Sequence, residues 1–231
     1  LDWQVQTTGT ATITPFNTSS TSNGQLGGTY ISPDRSFHWL QNFDVDASMR
    51  VTTLRANGFT LPGATPLSTT NTTSITFSVY ADAAGEPAGA PGGFGAAPLW
   101  TFTGAISAAN GITTTNGALS LNLLATNVAG NPLELPPGRY WMSVTPTTIS
   151  SAQQTAANPL WAWFISADPQ IGNLPRLYAP HLDAGALQPE PTTFGMFSGF
   201  VQGTVSCDLP AWVGLTTTSG SLGFQGEQTI P

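Results

Sequence analysis

An all-β fold, an antiparallel β-sandwich of jelly-roll or Ig-like type, is what this sequence predicts, and three observations carry the prediction. Residues 75–80, ITFSVY, place Ile75, Phe77 and Val79 at every second position, the period of a strand with one face buried, and leave Thr76 and Ser78 to face outward. The run that follows holds Gly85, Pro87, Gly89, Pro91, Gly92 and Gly93, a composition that breaks helix and ladder alike and sends the next strand to Leu99-Trp100. Short alternating runs between Gly, Pro and Asn turns recur along the whole chain, with no helical period and no internal repeat.

Taken in order, residues 1–13 alternate through Trp3 and Val5 and then Ala11 and Ile13, a first strand. Residues 17–28, NTSSTSNGQLGG, read as a polar loop or linker that frees this strand from the rest. Tyr30-Ile31, residues 37–43 and residues 49–54 read as short strands, the last with Met49, Val51 and Thr53 alternating against Arg50, Thr52 and Leu54. Beyond the 75–80 strand, residues 99–102 and 118–124 read as a pair, with Asn110-Gly111 and Asn116-Gly117 as turn signals and Leu119, Leu121 and Leu123 on one face. Pro136-Pro137-Gly138 launches RYWMSV, where Tyr140, Met142 and Val144 oppose Trp141 and Ser143. In LWAWFI (160–165) both faces are apolar, so that strand is central or carries a sticky outer face.

At 231 residues the chain suits one large sandwich with an appended segment: residues 1–28 as N-terminal strand and linker, 29–205 as the sandwich, 206–231 as a strand-like tail. Hydrophobic residues make up 40% and charged ones only 7%, so Thr, Ser, Asn, Gln and backbone must cover the surface. All five basic residues are arginines. A net charge of −7 argues against nucleic-acid partners and anionic membrane surfaces, both of which require clustered cations. Seven Trp and twelve Phe set the chain apart from disordered sequences. The lone Cys207 can make no internal disulfide. The longest apolar run, residues 160–167, falls far short of the ~20 residues that span a bilayer, so no membrane insertion is expected. A start at Leu1 with no basic n-region and apolar h-region fits a mature exported chain that has lost its signal peptide, and an extracellular or cell-surface location is the expectation.

The order FSVYADAAGEPAG (77–89), a Trp-containing strand, LPPGRYWMSV (135–144) and residues 160–167 resembles a secreted bacterial β-sandwich module with strands of the form F-x-x-Y-x-D-x-x-G-x-P-G and L-x-x-G-x-Y-W-x-S-V; FDVDASMRVTTLRANG (43–58) also fits. Ala88 stands where that pattern has its second loop glycine. CDLPAWVGLTTTSGSLG (207–223) is similar to the opening strand of an Ig-like repeat written C-x-x-P-x-W-L-x-V-x-P-x-S-G. These resemblances imply an exported surface or matrix protein, often appended to larger proteins, with no catalytic residues.

Trp141, Trp161 and Trp163 are candidates for an aromatic platform on which polysaccharide rings stack; the competing reading, that they fill the core, is favoured by the few acidic or amide residues near them. Asp44 and Asp46 are two apart on a strand and so share a face, a placement that suits oxygen ligands of a Ca²⁺ ion, although no D-x-D-x-D-G loop follows; the alternative is an acidic edge that discourages strand pairing. No other cofactor is expected. Asp82 and Glu86 form a second such pair, with Asp82 read as capping its own turn. For catalysis His38 and a His181/Asp183 pair are the supply, with no G-x-S-x-G or H-E-x-x-H motif, so no enzyme is expected. Asn17-Thr18-Ser19 and Asn71-Thr72-Thr73 match the N-glycosylation sequon, which matters only in a eukaryotic secretory route. Trp3 and Val5 in the first strand, and Trp212 and Val213 in the tail, are candidate assembly strands. The expected function is a non-enzymatic extracellular structural subunit joined to copies of itself by strand addition, with a carbohydrate-binding or adhesion module as the alternative.

Overall fold

Among the described residues of the computed structural model every regular element is a strand; they are residues 4–19, 22–32, 35–61, 65–149, 160–169, 172–180, 186–189, 195–212, 214–218 and 221–225. In chain order the first half contains β1 (Gln4–Asn17), β2 (Ser22–Gly28), β3 (Tyr30–Ile31), β4 (Ser36–Val45), β5 (Met49–Ala56), β6 (Gly58–Leu61), β7 (Thr72–Ala83), β8 (Glu86–Pro87), β9 (Gly89–Ala90), β10 (Phe94–Gly95) and β11 (Trp100–Gly104). The second half contains β12 (Ile112–Thr115), β13 (Ala118–Asn122), β14 (Glu134–Leu135), β15 (Gly138–Thr148), β16 (Leu160–Ser166), β17 (Arg176–Tyr178), β18 (Leu187–Pro189), β19 (Gly199–Trp212), β20 (Gly214–Thr218) and β21 (Ser221–Gln225).

Two sheets make the sandwich, antiparallel throughout except where β3 meets β15 in parallel. One runs β1-β19-β5-β13-β12 with β14 beside β5; the other runs β11-β7-β15-β4-β17-β18, with β3 wedged between β15 and β4. Their inner faces meet in one core: Met49, Val51, Leu54, Leu119, Leu121 and Val201 come from the first sheet, and Phe43, Ile75, Phe77, Val79, Met142 and Val144 from the second. The predicted alternation of β7 holds, with Ile75, Phe77 and Val79 fully buried. β16, apolar on both faces, is central to a third small sheet, β2-β16-β6, and adds Trp161 and Trp163 to the same core.

Five local expectations are corrected. Thr53 does not follow Val51 inward. β19 pairs Gln202 with Thr53 and Gly203 with Val51, so Thr52 is an extra residue, a bulge, and the inward phase restarts at Leu54 and Ala56. A side chain at Gly203 would meet the Arg50 carbonyl at 2.4 Å, which explains a glycine beside the bulge. Residues 99–102 and 118–124 are not partners: β11 pairs with β7, while β13 pairs with β5 and with β12 across a turn at Asn116-Gly117, where both residues have positive φ, the geometry of a two-residue hairpin. Residues 22–28 are not a free linker, because β2 pairs with β16. The Gly/Pro run does form ladders, since rungs two residues long survive beside proline: β8 folds back on β7, and β9 pairs with β10 across a turn where Gly92 and Gly93 both take positive φ.

That run covers the outer face of the second sheet. There Leu40, Tyr80, Trp141 and Tyr178 form a second buried cluster with Ala90 of the folded-back segment, and Phe94 packs against it. Ser78 is therefore buried rather than outward, and its hydroxyl bonds that of Thr101 (3.0 Å).

The bulge makes a measurable distinction. Leu54→Ala removes a fully buried side chain and is expected to cost about 2–5 kcal/mol, whereas Thr53→Ala is expected to cost less than about 1 kcal/mol. Urea denaturation of the two variants checks this, and similar losses at both positions would contradict the register.

Candidate functional site

The three tryptophans are brought inside, not to a surface. Trp161 and Trp163 share a face of β16 with rings 6.2 Å apart, and Trp163 stacks on Phe197 at 4.8 Å. Their indole N–H groups donate to the carbonyls of Gly117 and Ser198, both at 2.7 Å. Trp141 points from β15 into the other cluster, where its indole donates to Asp82 Oδ1 (2.8 Å). All three are 0% exposed. Sugar stacking requires an open ring face, so these indoles form no platform; they are large core fillers whose single polar atom is satisfied. The signal in the sequence was the unbroken apolar run at residues 160–165, which marks a strand buried on both sides.

Asp44, Asp46 and Asp82 do converge, on a concavity of about 360 Å³, but Arg139 lies in it with them. Arg139 forks onto Asp44, donating from Nε to Oδ1 at 2.7 Å and from Nη2 to Oδ2 at 3.0 Å. The same hydrogen bonds hold the Asp44 carboxyl below its ordinary range. Asp82 is engaged as well, accepting the Trp141 indole at one oxygen and the Gly85 N–H at the other (2.8 Å). With both oxygens of Asp44 and of Asp82 taken and only Asp46 beside them, the arrangement is a network that ties β4, β15 and the β7–β8 turn together, and it does not match the oxygen-lined, uncompensated cage that Ca²⁺ needs. Among the described residues no three His, Cys, Asp or Glu side chains gather as a metal site. Glu86 is paired with Arg176.

His38 lies under the folded-back glycine turn. Its Nδ1 is 3.2 Å from the Thr145 hydroxyl, its ring stacks on Tyr178, and Gly92 packs above Nε2, which has no hydrogen-bond partner among the described residues. Burial lowers its pKa from 6.5 to about 4. The ring is therefore neutral at pH 7. His181 and Asp183 lie outside the described residues.

β1 and β19 pair antiparallel over their whole length, with Val5 opposite Ala211, Gln4 opposite Trp212 and Gly9 opposite Cys207. Trp3 and Val213 lie outside the described residues. β5 supports β19 only as far as Thr204, opposite Arg50; beyond that point residues 205–212 have β1 as their strand neighbour. β20 and β21 form a separate hairpin.

One group had no signal in the sequence because its members are far apart. Asn17, Arg55, Asn57, Asp168 and Phe200 line an open polar concavity of about 530 Å³ on the outer side of the first sheet. Of the two sequon asparagines, Asn17 is exposed, whereas Asn71 is buried, bonding Ser68 N–H through Oδ1 and the Pro66 carbonyl through Nδ2.

Two measurements follow from these contacts. Below pH 6.5 the unfolded chain binds a proton that the folded His38 refuses, so stability falls with acidification down to about pH 4, by about 3 kcal/mol in all. His38→Gln is expected to remove that part of the pH dependence, read as the difference between urea curves of the two proteins at pH 7 and pH 4; parallel curves would contradict it. Asp82→Ala leaves the buried Trp141 indole without an acceptor and is expected to cost about 1–3 kcal/mol by the same assay; an unchanged midpoint would show that the network carries no stability. No protein-family model matches the chain, and no curated protein is detectably similar to it in sequence.

Proposed function

We propose that the chain is a non-enzymatic structural subunit or surface module of an extracellular assembly, joined to copies of itself by strand addition along the ribbon made by β1 and β19. The observation that supports this reading is the unsupported stretch of that ribbon. Among the described residues, 4–11 and 205–212 pair only with one another as strands. A two-stranded ribbon is marginal in water on its own, and each of its outer edges presents unpaired N–H and C=O groups. A further strand from a neighbour satisfies those groups and needs no charged contacts.

The composition of the ribbon points the same way. Edges that must stay single are commonly protected by lysine or other charges, yet these two segments hold no lysine and one charged residue, Asp208, with Pro210 as the other interruption. The expectation of free terminal strands is modified in one respect: the strands are partners within the chain, so it is their outer edges that are open to addition. The sparse charge and the Thr- and Ser-rich surface support an extracellular setting.

Sedimentation velocity with negative-stain electron microscopy tests the reading. The full chain is expected to form oligomers or filaments that grow with concentration, and a chain lacking residues 1–9 is expected to stay monomeric while the sandwich still unfolds cooperatively in urea. A full chain that remains monomeric throughout, or assembly that survives the deletion, would count against it.

A further inference from the structure

We propose that the polar concavity at Arg55, Asp168 and Phe200 is a binding site for a neutral saccharide, independent of the assembly ribbon. Its two charged residues are held but not consumed. Arg55 donates from Nε to Asn57 Oδ1 (2.8 Å), and its guanidinium lies 5.8 Å from the centre of the Phe200 ring; its two Nη groups have no hydrogen-bond partner among the described residues. Asp168 accepts the Ser19 N–H at Oδ2 and is anchored by its own N–H on Ser166 Oγ (3.1 Å), leaving Oδ1 open. The two are not paired with one another, unlike Arg139 with Asp44 or Arg176 with Glu86.

Behind them stands a buried support. Asn57, 7% exposed, donates from Nδ2 to Ser198 Oγ at 2.9 Å, and the fully buried Ser198 hydroxyl donates in turn to the Ser19 carbonyl. Thr18 bonds the backbone of Phe197 and Gly199 on the same strand junction. Neither charged side chain needs to be reoriented on binding, which lowers the entropic cost of association.

The chemistry selects the ligand. A fixed guanidinium with free donors beside a fixed carboxylate with a free acceptor matches a group that both accepts and donates, which is what neighbouring hydroxyls of a sugar do. An anionic ligand meets Asp168 and a chain of net charge −7, and a cationic one meets Arg55. Phe200, half-buried, offers apolar contact for ring C–H groups, and the exposed Asn17 adds an amide at the rim.

The test is calorimetric titration of the full chain with cellotetraose, xylotetraose and mannotetraose, and with tetragalacturonate as the anionic comparison. At least one neutral tetrasaccharide is expected to bind saturably, with affinity about tenfold or more weaker in Arg55→Gln and in Asp168→Asn, since each removes a charged hydrogen-bonding partner. Arg55→Gln keeps a donor for Asn57, so it reads the site even where Asp168→Asn loosens the Ser19 contact. Absence of binding by every neutral probe up to about 10 mM, equal affinity in both variants, or tighter binding of tetragalacturonate than of any neutral probe would each overturn the proposal. The chain lacking residues 1–9 retains the site, so failure here leaves the assembly reading standing, and the reverse also holds.

Discussion

The fold depends on a strand that must be covered on both sides. β15 lies between β7 and β4, with Tyr140, Met142 and Val144 turned into the sandwich and Trp141, Ser143 and Thr145 buried on the reverse face. A sheet that faces water on its second side would leave the Trp141 indole exposed; here the Gly/Pro segment 84–96 and Tyr178 close over it. Covering that face obliges its polar groups to find partners inside. Ser78 turns to Thr101, His38 to Thr145, and Trp141 to Asp82, which in turn fixes the Gly85 turn that starts the cover. The cover is a consequence of the strand it protects.

Asp82 shows how one short side chain joins these layers. It accepts from a buried indole on one side and from the backbone of a turn on the other, and the same turn is held through Asn173, which links Gly85 to Arg139. Arg139 closes the circuit on Asp44. In a chain where 7% of the residues are charged, carboxylates used this way serve as staples, Asp44 by its two-point pair with Arg139.

Much of this was legible in the residues. The period-two pattern at Ile75, Phe77 and Val79, and the apolar run from Leu160 to Ile165, fix strand type and burial because side-chain alternation is a local property. What failed was everything set by a partner. The bulge at Thr52 exists because β19 skips a residue opposite it, and nothing in VTTL alone announces that. Ser78 looks like a surface residue until Thr101 and the folded-back segment are in place. Trp141 and Trp163 look alike in sequence and lie in different clusters, since parity separates the two faces only once each strand is placed in its sheet. The Arg55 concavity draws on residues separated by more than a hundred positions, held together by strand pairing that no local pattern encodes.

A doubly covered centre and a two-stranded ribbon behave oppositely within one molecule, and native-state hydrogen exchange of the full chain at high dilution reads both at once. Amides of β7 and β15 are expected to exchange only through global unfolding, while those of residues 205–211, flanked by a single strand, are expected to exchange through opening at far lower free energy. Exchange of β15 by local opening, or protection of the ribbon in the dispersed chain equal to that of β15, would contradict the account.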